Sequence, residues 1–126
     1  MSLLDSLKRH TIVVADTGDI DAIRQHRPQD ATTNPSLLLK AAQQPAYRSL
    51  VDGALEAAAA SGRNGAACTE AFMDRLGVAF GCEILKIVPG RVSPEVDARY
   101  SFDTEASMAK ARELIALYGD AGVSPD

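Results

Sequence analysis

The chain has 126 residues, 46% hydrophobic and 24% charged, with 13 Lys and Arg against 17 Asp and Glu for a net charge of −4. This is the composition of one globular domain with a sizeable core, and it excludes disordered and fibrous classes. An acidic balance with no Trp and 5% aromatic residues argues against nucleic acid and anionic membranes as partners, since these select basic surfaces and, for single strands, stacking platforms.

No apolar run approaches the roughly 20 residues of a membrane span, and the opening Met1-Ser-Leu-Leu-Asp-Ser-Leu-Lys lacks the long apolar stretch of a signal peptide. Cys68 and Cys82 have neither metal-ligand spacing nor a disulfide framework around them. Buried reduced thiols in a cytoplasmic protein, with no metal site, are the expectation.

In chain order, short β-branched runs alternate with longer Ala- and Leu-rich segments, the pattern of parallel strands joined by crossover helices. Thr11-Ile-Val-Val-Ala predicts a first strand, apolar throughout as a strand buried on both faces should be, broken by Asp16-Thr-Gly-Asp. A short helix runs from Asp19 or Ile20 to Arg27, and Pro28 ends it. Asp30-Ala-Thr-Thr reads as a second strand stopping at Asn34-Pro35-Ser36, where Asn or Ser caps a helix over Leu37 to Ala42. From Pro45 a long helix carries Leu50, Val51, Ala54, Leu55 and Ala58 on one stripe, with Gly62 as its stop. A second helix from about Gly65 to Phe80, with Phe72, Met73, Leu76 and Phe80 on its apolar side, completes an αα-hairpin inserted between strands.

Glu83-Ile-Leu-Lys-Ile-Val is compatible with a strand or a helix end before Pro89-Gly90. In Arg91-Val-Ser-Pro-Glu-Val-Asp, the residues Arg91, Ser93, Glu95 and Asp97 share one strand face, and inside a sheet covered on both sides that face must line a polar cavity. Asp103 or Thr104 then caps a last helix with Met108, Ala111, Leu114, Ile115 and Tyr118 as its apolar stripe and Gly119 as its end. Ala121 to Asp126 reads as the loop that delivers a further strand.

Polar groups at strand ends are the candidates for chemistry, because α/β folds bind ligands beyond the carboxyl ends of their strands. Asp16 is either an exposed carboxylate there or a turn-forming Asp, Asn34 either a ligand contact or a helix cap, and Glu95 either a free acid or half of an ion pair with Arg91 or Arg99. No glycine-rich phosphate loop of the GxGxxG or GxxxxGK[ST] type is present, which argues against a nucleotide cofactor. Among Lys8, Lys40, Lys86 and Lys110 only Lys86 stands among apolar residues, as a desolvated nucleophile or a snorkelling surface lysine.

Taken together, Val13-Val-Ala-Asp-Thr-Gly-Asp, Asp30-Ala-Thr-Thr-Asn-Pro-Ser and Val88-Pro-Gly-Arg-Val-Ser-Pro-Glu-Val-Asp-Ala-Arg resemble the transaldolases, from about Leu7 to Asp126. The resemblance implies an α/β fold that is the N-terminal part of a (β/α)8 TIM barrel, with about three parallel strands, flanking helices and the inserted αα-hairpin. It implies transfer of a dihydroxyacetone unit between sugar phosphates through a Schiff base, with no cofactor and no metal. Residue by residue, Glu95 resembles the acid/base that works through a water at the Schiff-base step, and Asp16 the carboxylate that handles the hydroxyl proton during C–C cleavage. Asn34 resembles a substrate-binding residue, with Thr32 supporting the same wall. Pro94 departs from the pattern, which usually has Thr there. The family's Schiff-base lysine belongs to the strand after the loop ending at Asp126, and its phosphate-binding Arg comes later still. Residues 1–126 are therefore expected to form a partial barrel domain, inactive alone. The alternatives are a fragment that self-associates through exposed strand edges, and a small α/β domain that holds a sugar phosphate without turnover.

Overall fold

The computed structural model describes residues 1–124, and among them three short strands alternate with six α-helices. The N-terminal helix α1 (Leu3–Lys8), too short for periodicity to reveal, is closed by a capping box in which the Asp5 N–H donates to Ser2 Oγ and the Ser2 N–H to the Asp5 carboxylate. At its far end Lys8 Nζ donates to the carbonyls of His26 (2.6 Å) and Arg27 (2.8 Å), where α2 (Ile20–His26) leaves its last carbonyls without helical partners.

Strands β1 (Val14–Asp16), β2 (Asp30–Thr33) and β3 (Val92–Pro94) form one parallel sheet in the order β1-β2-β3, with Ala31 opposite both Ala15 and Val92. Parallel crossovers are right-handed, so an order that never reverses returns every helix to the same face, as in a (β/α)8 barrel and unlike a doubly wound sheet. Burial follows that rule. Ala31 (0% exposed) and Thr33 (1%) lie under the helices, whereas Val14 is 48% exposed and Asp16 stands in solvent. The strand predicted over Thr11–Ala15 thus starts at Val14 and is covered on one face only, because the crossover helices return to one side of the sheet.

Between β2 and β3 run α3 (Pro35–Ala42), a 3-10 turn (Pro45–Tyr47), α4 (Arg48–Ala60) and α5 (Ala66–Leu85), so the inserted hairpin is present. The chain leaves α4 through Gly62 at φ +71°, a left-handed conformation suited to glycine. Leu76, Phe80 and Ile84 of α5 pack with Ile23, Ala31, Leu38 and Val88 into the core. Tyr47 meets Phe80 edge-on at 5.3 Å, while its hydroxyl accepts the Ile20 N–H (3.0 Å) and donates to Asp19 Oδ1 (3.3 Å). α5 continues past Phe80 to Leu85, settling the ambiguous Glu83-Ile-Leu as helix, and Leu55 of the predicted α4 stripe is exposed.

At the start of β3, Gly90 lies so close to Asp30 that a side chain would collide with the carboxylate accepting the Arg91 N–H (2.7 Å). β3 is shorter than the predicted polar strand, since Pro94 offers no N–H, yet pairing resumes as the Glu95 N–H donates to the Thr33 carbonyl (3.1 Å). Asp97 leaves the strand and caps the 3-10 turn Ala98–Tyr100. α6 (Thr104–Asp120) is capped by Asp103, passes Gly119 by one residue, and packs on α5. Of its predicted stripe, Leu114 is buried and Tyr118 half-buried, but Met108 and Ile115 are exposed. The final loop is described as far as Ser124; Pro125 and Asp126 lie outside the described residues.

Two contacts join α6 to α5. Lys110, only 8% exposed, reaches Glu113 (2.7 Å), Asp74 (2.8 Å) and Glu70 (2.9 Å), and Glu70 also accepts the Tyr100 hydroxyl (2.7 Å). Burial opposes the ammonium's charge, but the three carboxylates outweigh it and hold Lys110 above its ordinary range. Lys110 in turn lowers Glu70 and Glu113, while burial raises Asp74. The second contact is steric: the Tyr118 phenol fills the space a Cβ on Gly81 would need, and burial without a hydrogen-bond partner pushes its hydroxyl up to about 12.

Three outcomes follow for denaturant unfolding. Tyr118→Phe removes an unsatisfied hydroxyl and should leave stability unchanged or raise it by about 1 kcal/mol. Gly81→Ala should cost about 2 kcal/mol, less in the Tyr118→Phe background, because the clash is with that ring and its oxygen. Lys110→Met should cost about 3 kcal/mol at neutral pH by leaving Glu70 and Asp74 without a cation, while Glu113 keeps Arg63 at 3.1 Å. Glu70 and Glu113 have folded values below their ordinary 4.5, so their contribution is complete above that pH and is lost as pH falls through the folded values. Asp74, raised from 3.8, works in the opposite sense. The gap between Lys110→Met and the parent should therefore narrow on acidification below about pH 4.5, as protonation relieves the unpaired carboxylates.

Candidate active site

Side chains alternate along a strand, so the register decides which polar groups share a face. Asp16, Thr32 and Ser93 stand side by side across β1, β2 and β3. Asn34 and Glu95, each two residues further on, extend that face beyond the carboxyl ends of β2 and β3. This is the side of the sheet away from the helices: Asp16, Ser93 and Glu95 are exposed, Thr32 and Asn34 half-buried. The polar face anticipated along Arg91–Glu95 is real, but it opens to solvent and not into an enclosed cavity, so its carboxylates pay no burial penalty.

Within that face the four candidates fall into two pairs. Thr32 Oγ1 donates to Asp16 Oδ1 at 2.8 Å, which orients the carboxylate and leaves its second oxygen unused by Thr32. Asn34 Oδ1 accepts the Leu37 N–H at 2.9 Å and so caps α3. Glu95 pairs with neither arginine: Arg99 Nε is taken by Asp97 at 3.1 Å, with its guanidinium 5.5 Å from the centre of the Tyr100 ring. Asn34 and Glu95 line a cleft of about 410 Å³ that reaches from the ends of β2 and β3 to α5 and α6, while Asp16 and Thr32 stand outside it.

The cleft also exposes what sequence reasoning missed. Glu70, Asp74 and Lys110 line its far side, so the enclosed lysine of this chain is Lys110 and not Lys86. Lys86 is exposed at a helix end and paired with Glu83 at 2.6 Å, the snorkelling alternative. Glu70 and Asp74, one turn apart on α5, with Glu113 three residues after Lys110, were the only signal for the cluster, and it needed the α5–α6 pairing to be recognised. Lys8 is tied to two carbonyls, and a lysine held charged by three carboxylates is a poor nucleophile, so Lys110 is unsuited to condense with a carbonyl. Among the described residues no group of three or more His, Cys, Asp or Glu could hold a metal ion, and no helix is long and apolar enough to cross a membrane.

Comparison with known proteins agrees with this geometry. Residues 13–124 match the family described as Transaldolase/Fructose-6-phosphate aldolase. The chain is 59% identical over 128 residues to a transaldolase of Prochlorococcus marinus (strain MIT 9313), covering 99% of this chain and 33% of that protein. It is 57% identical over 126 residues to a transaldolase of Actinobacillus pleuropneumoniae serotype 3 (100% of this chain, 40% of that protein) and 58% identical over 123 residues to one of Haemophilus influenzae (strain PittGG) (98% and 39%). It thus spans a third to two fifths of the length of these curated relatives. With three parallel strands wound in one direction, a polar row on the uncovered face and a match over nearly its whole length, the chain belongs to the transaldolase/fructose-6-phosphate aldolase family.

Proposed function

We propose that these residues form the amino-terminal part of a transaldolase, which moves a dihydroxyacetone unit from a ketose phosphate such as sedoheptulose 7-phosphate to an aldose phosphate such as glyceraldehyde 3-phosphate. The observation that carries this reading is the placement of Asp16, Thr32, Asn34 and Glu95 on one face at the carboxyl ends of adjacent parallel strands.

A Schiff-base transfer needs an amine that condenses with the ketose carbonyl, an acid/base group to expel water from the carbinolamine, and a base for the hydroxyl proton released when the neighbouring C–C bond breaks. Glu95, solvent-facing and in no ion pair among the described residues, acts on the carbinolamine through a water. Asp16, held through one oxygen by Thr32, takes the hydroxyl proton on cleavage and returns it when the acceptor aldehyde adds. Asn34 binds the dihydroxyacetone unit beside Glu95 in the cleft, and Thr32 keeps Asp16 oriented. The amine is supplied by a strand outside this chain. Three of the lysines here are otherwise engaged: Lys8 is tied to two carbonyls, Lys86 is exposed in an ion pair and Lys110 is held charged. The reading places the enzyme in a reducing cytoplasm, in keeping with Cys68 and Cys82 as unpaired thiols.

Two experiments test this. With fructose 6-phosphate and borohydride, residues 1–126 alone should yield no trapped adduct by mass spectrometry; an adduct, for instance on Lys86, sinks the assignment of the amine to a missing strand. Fused to the remaining length of the Actinobacillus relative, the chain should gain transaldolase activity. In that fusion Asp16→Asn and Glu95→Gln should each lower kcat by about 100-fold or more, the usual cost of a lost acid/base group. An undiminished kcat in either variant removes that residue from the mechanism.

A further inference from the structure

Glu95 stands where the backbone lets go of the sheet. Pro94 before it offers no N–H, and the Glu95 N–H on the Thr33 carbonyl (3.1 Å) is the last bond to the sheet in this stretch among the described residues. Among those residues the Glu95 carboxylate enters no ion pair or side-chain hydrogen bond, so its place is set by its own main chain. The bonds that follow are mostly internal to the turn: Asp97 accepts the Arg99 N–H at 2.8 Å, and the Tyr100 and Ser101 N–H groups reach back to the Asp97 and Ala98 carbonyls. They shape the turn without fixing where it lies. Ser107 Oγ on the Tyr100 carbonyl (2.7 Å) joins it to α6, and one side-chain bond crosses to α5, where the Tyr100 hydroxyl donates to Glu70 Oε1 at 2.7 Å. The same oxygen lies 2.9 Å from Lys110 Nζ, which Asp74 and Glu113 hold in turn, so the acceptor is itself locked in place.

We propose, on the reading of Glu95 as the acid/base group, that Tyr100 is a positioning residue for it, the phenol on Glu70 pinning to α5 the segment that carries the carboxylate. A general acid or base must stand within hydrogen-bond reach of its proton, and an error of about 1 Å costs on the order of 100-fold in rate. Without the phenolic bond the turn can shift on its remaining Ser107 tether and carry Glu95 with it. Asp16, on β1 and held by Thr32, stays where it is.

The test is a double-mutant cycle on kcat in the fusion with the Actinobacillus relative, using Tyr100→Phe, Glu95→Gln and the two together. Tyr100→Phe should lower kcat by about tenfold with KM for the ketose phosphate little changed, because an interaction used in the transition state is lost. In the Glu95→Gln background the same change should have no further effect. In residues 1–126 alone, the Glu95 amide of Tyr100→Phe should exchange with solvent about tenfold faster, while the α5 amides around Phe80 keep their protection. Equal losses of kcat in both backgrounds mark a general structural defect and overturn the proposal, as does an unchanged Glu95 amide. If Glu95→Gln alone leaves kcat undiminished, Glu95 leaves the mechanism and the proposal falls with it. If Glu95→Gln is impaired but Tyr100→Phe is not, the acid/base reading stands and the positioning role alone is overturned.

Discussion

A parallel sheet is covered only where its crossover connections return, and in this chain every return is to the same side. The rest of the structure depends on that one-sidedness. Ala31 and Thr33 can be fully buried because helices sit over them, and Asp16, Ser93 and Glu95 can be charged or polar because nothing does. The strand alternation that hides one set of residues presents the other, so core and candidate site are two sides of a single register.

α5 converts this sheet into a folded body. It is the longest helix, and it touches α2, α3, α4, α6, β2 and β3. Its middle is apolar and its two ends do different work. Leu76, Phe80 and Ile84 meet the sheet-side core, while Glu70 and Asp74 near its start receive Lys110, and Gly81 receives the Tyr118 ring. The segment from Glu95 to Asp103 is held between these attachments, through the Tyr100 hydroxyl on Glu70. The ion cluster beneath the cleft therefore supports the stretch of chain that follows Glu95.

Local chemistry was legible wherever a residue's own neighbours decide its conformation. Asn34 and Asp103 cap the helices they precede, α2 starts at Ile20, Gly62 turns the chain, and Asp30–Thr33 is a strand with the bounds read from its residue run. Legibility failed where a distant element decides. Val14 looks like a core residue until the register puts it on the same uncovered face as Asp16. Met108 and Ile115 look buried because periodicity reports an apolar stripe but not which helix lies opposite. Lys110 looks like a surface lysine because its three carboxylates include two from a helix some forty residues away. In the candidate site the residue types and their order were readable from the motifs. The division into an Asp16–Thr32 pair and an Asn34–Glu95 cleft was not, since it rests on register and on the closure of α6 over α5.

The cap formed by Asn34 has a consequence for recognition. With Oδ1 holding the Leu37 N–H, the amide cannot turn over without breaking the start of α3, so the cap fixes which end of the side chain donates and which accepts. Two N–H bonds and one further lone pair on Oδ1 remain to be offered. A sugar hydroxyl, which both donates and accepts, can use either end, but the helix start keeps the two ends from exchanging places.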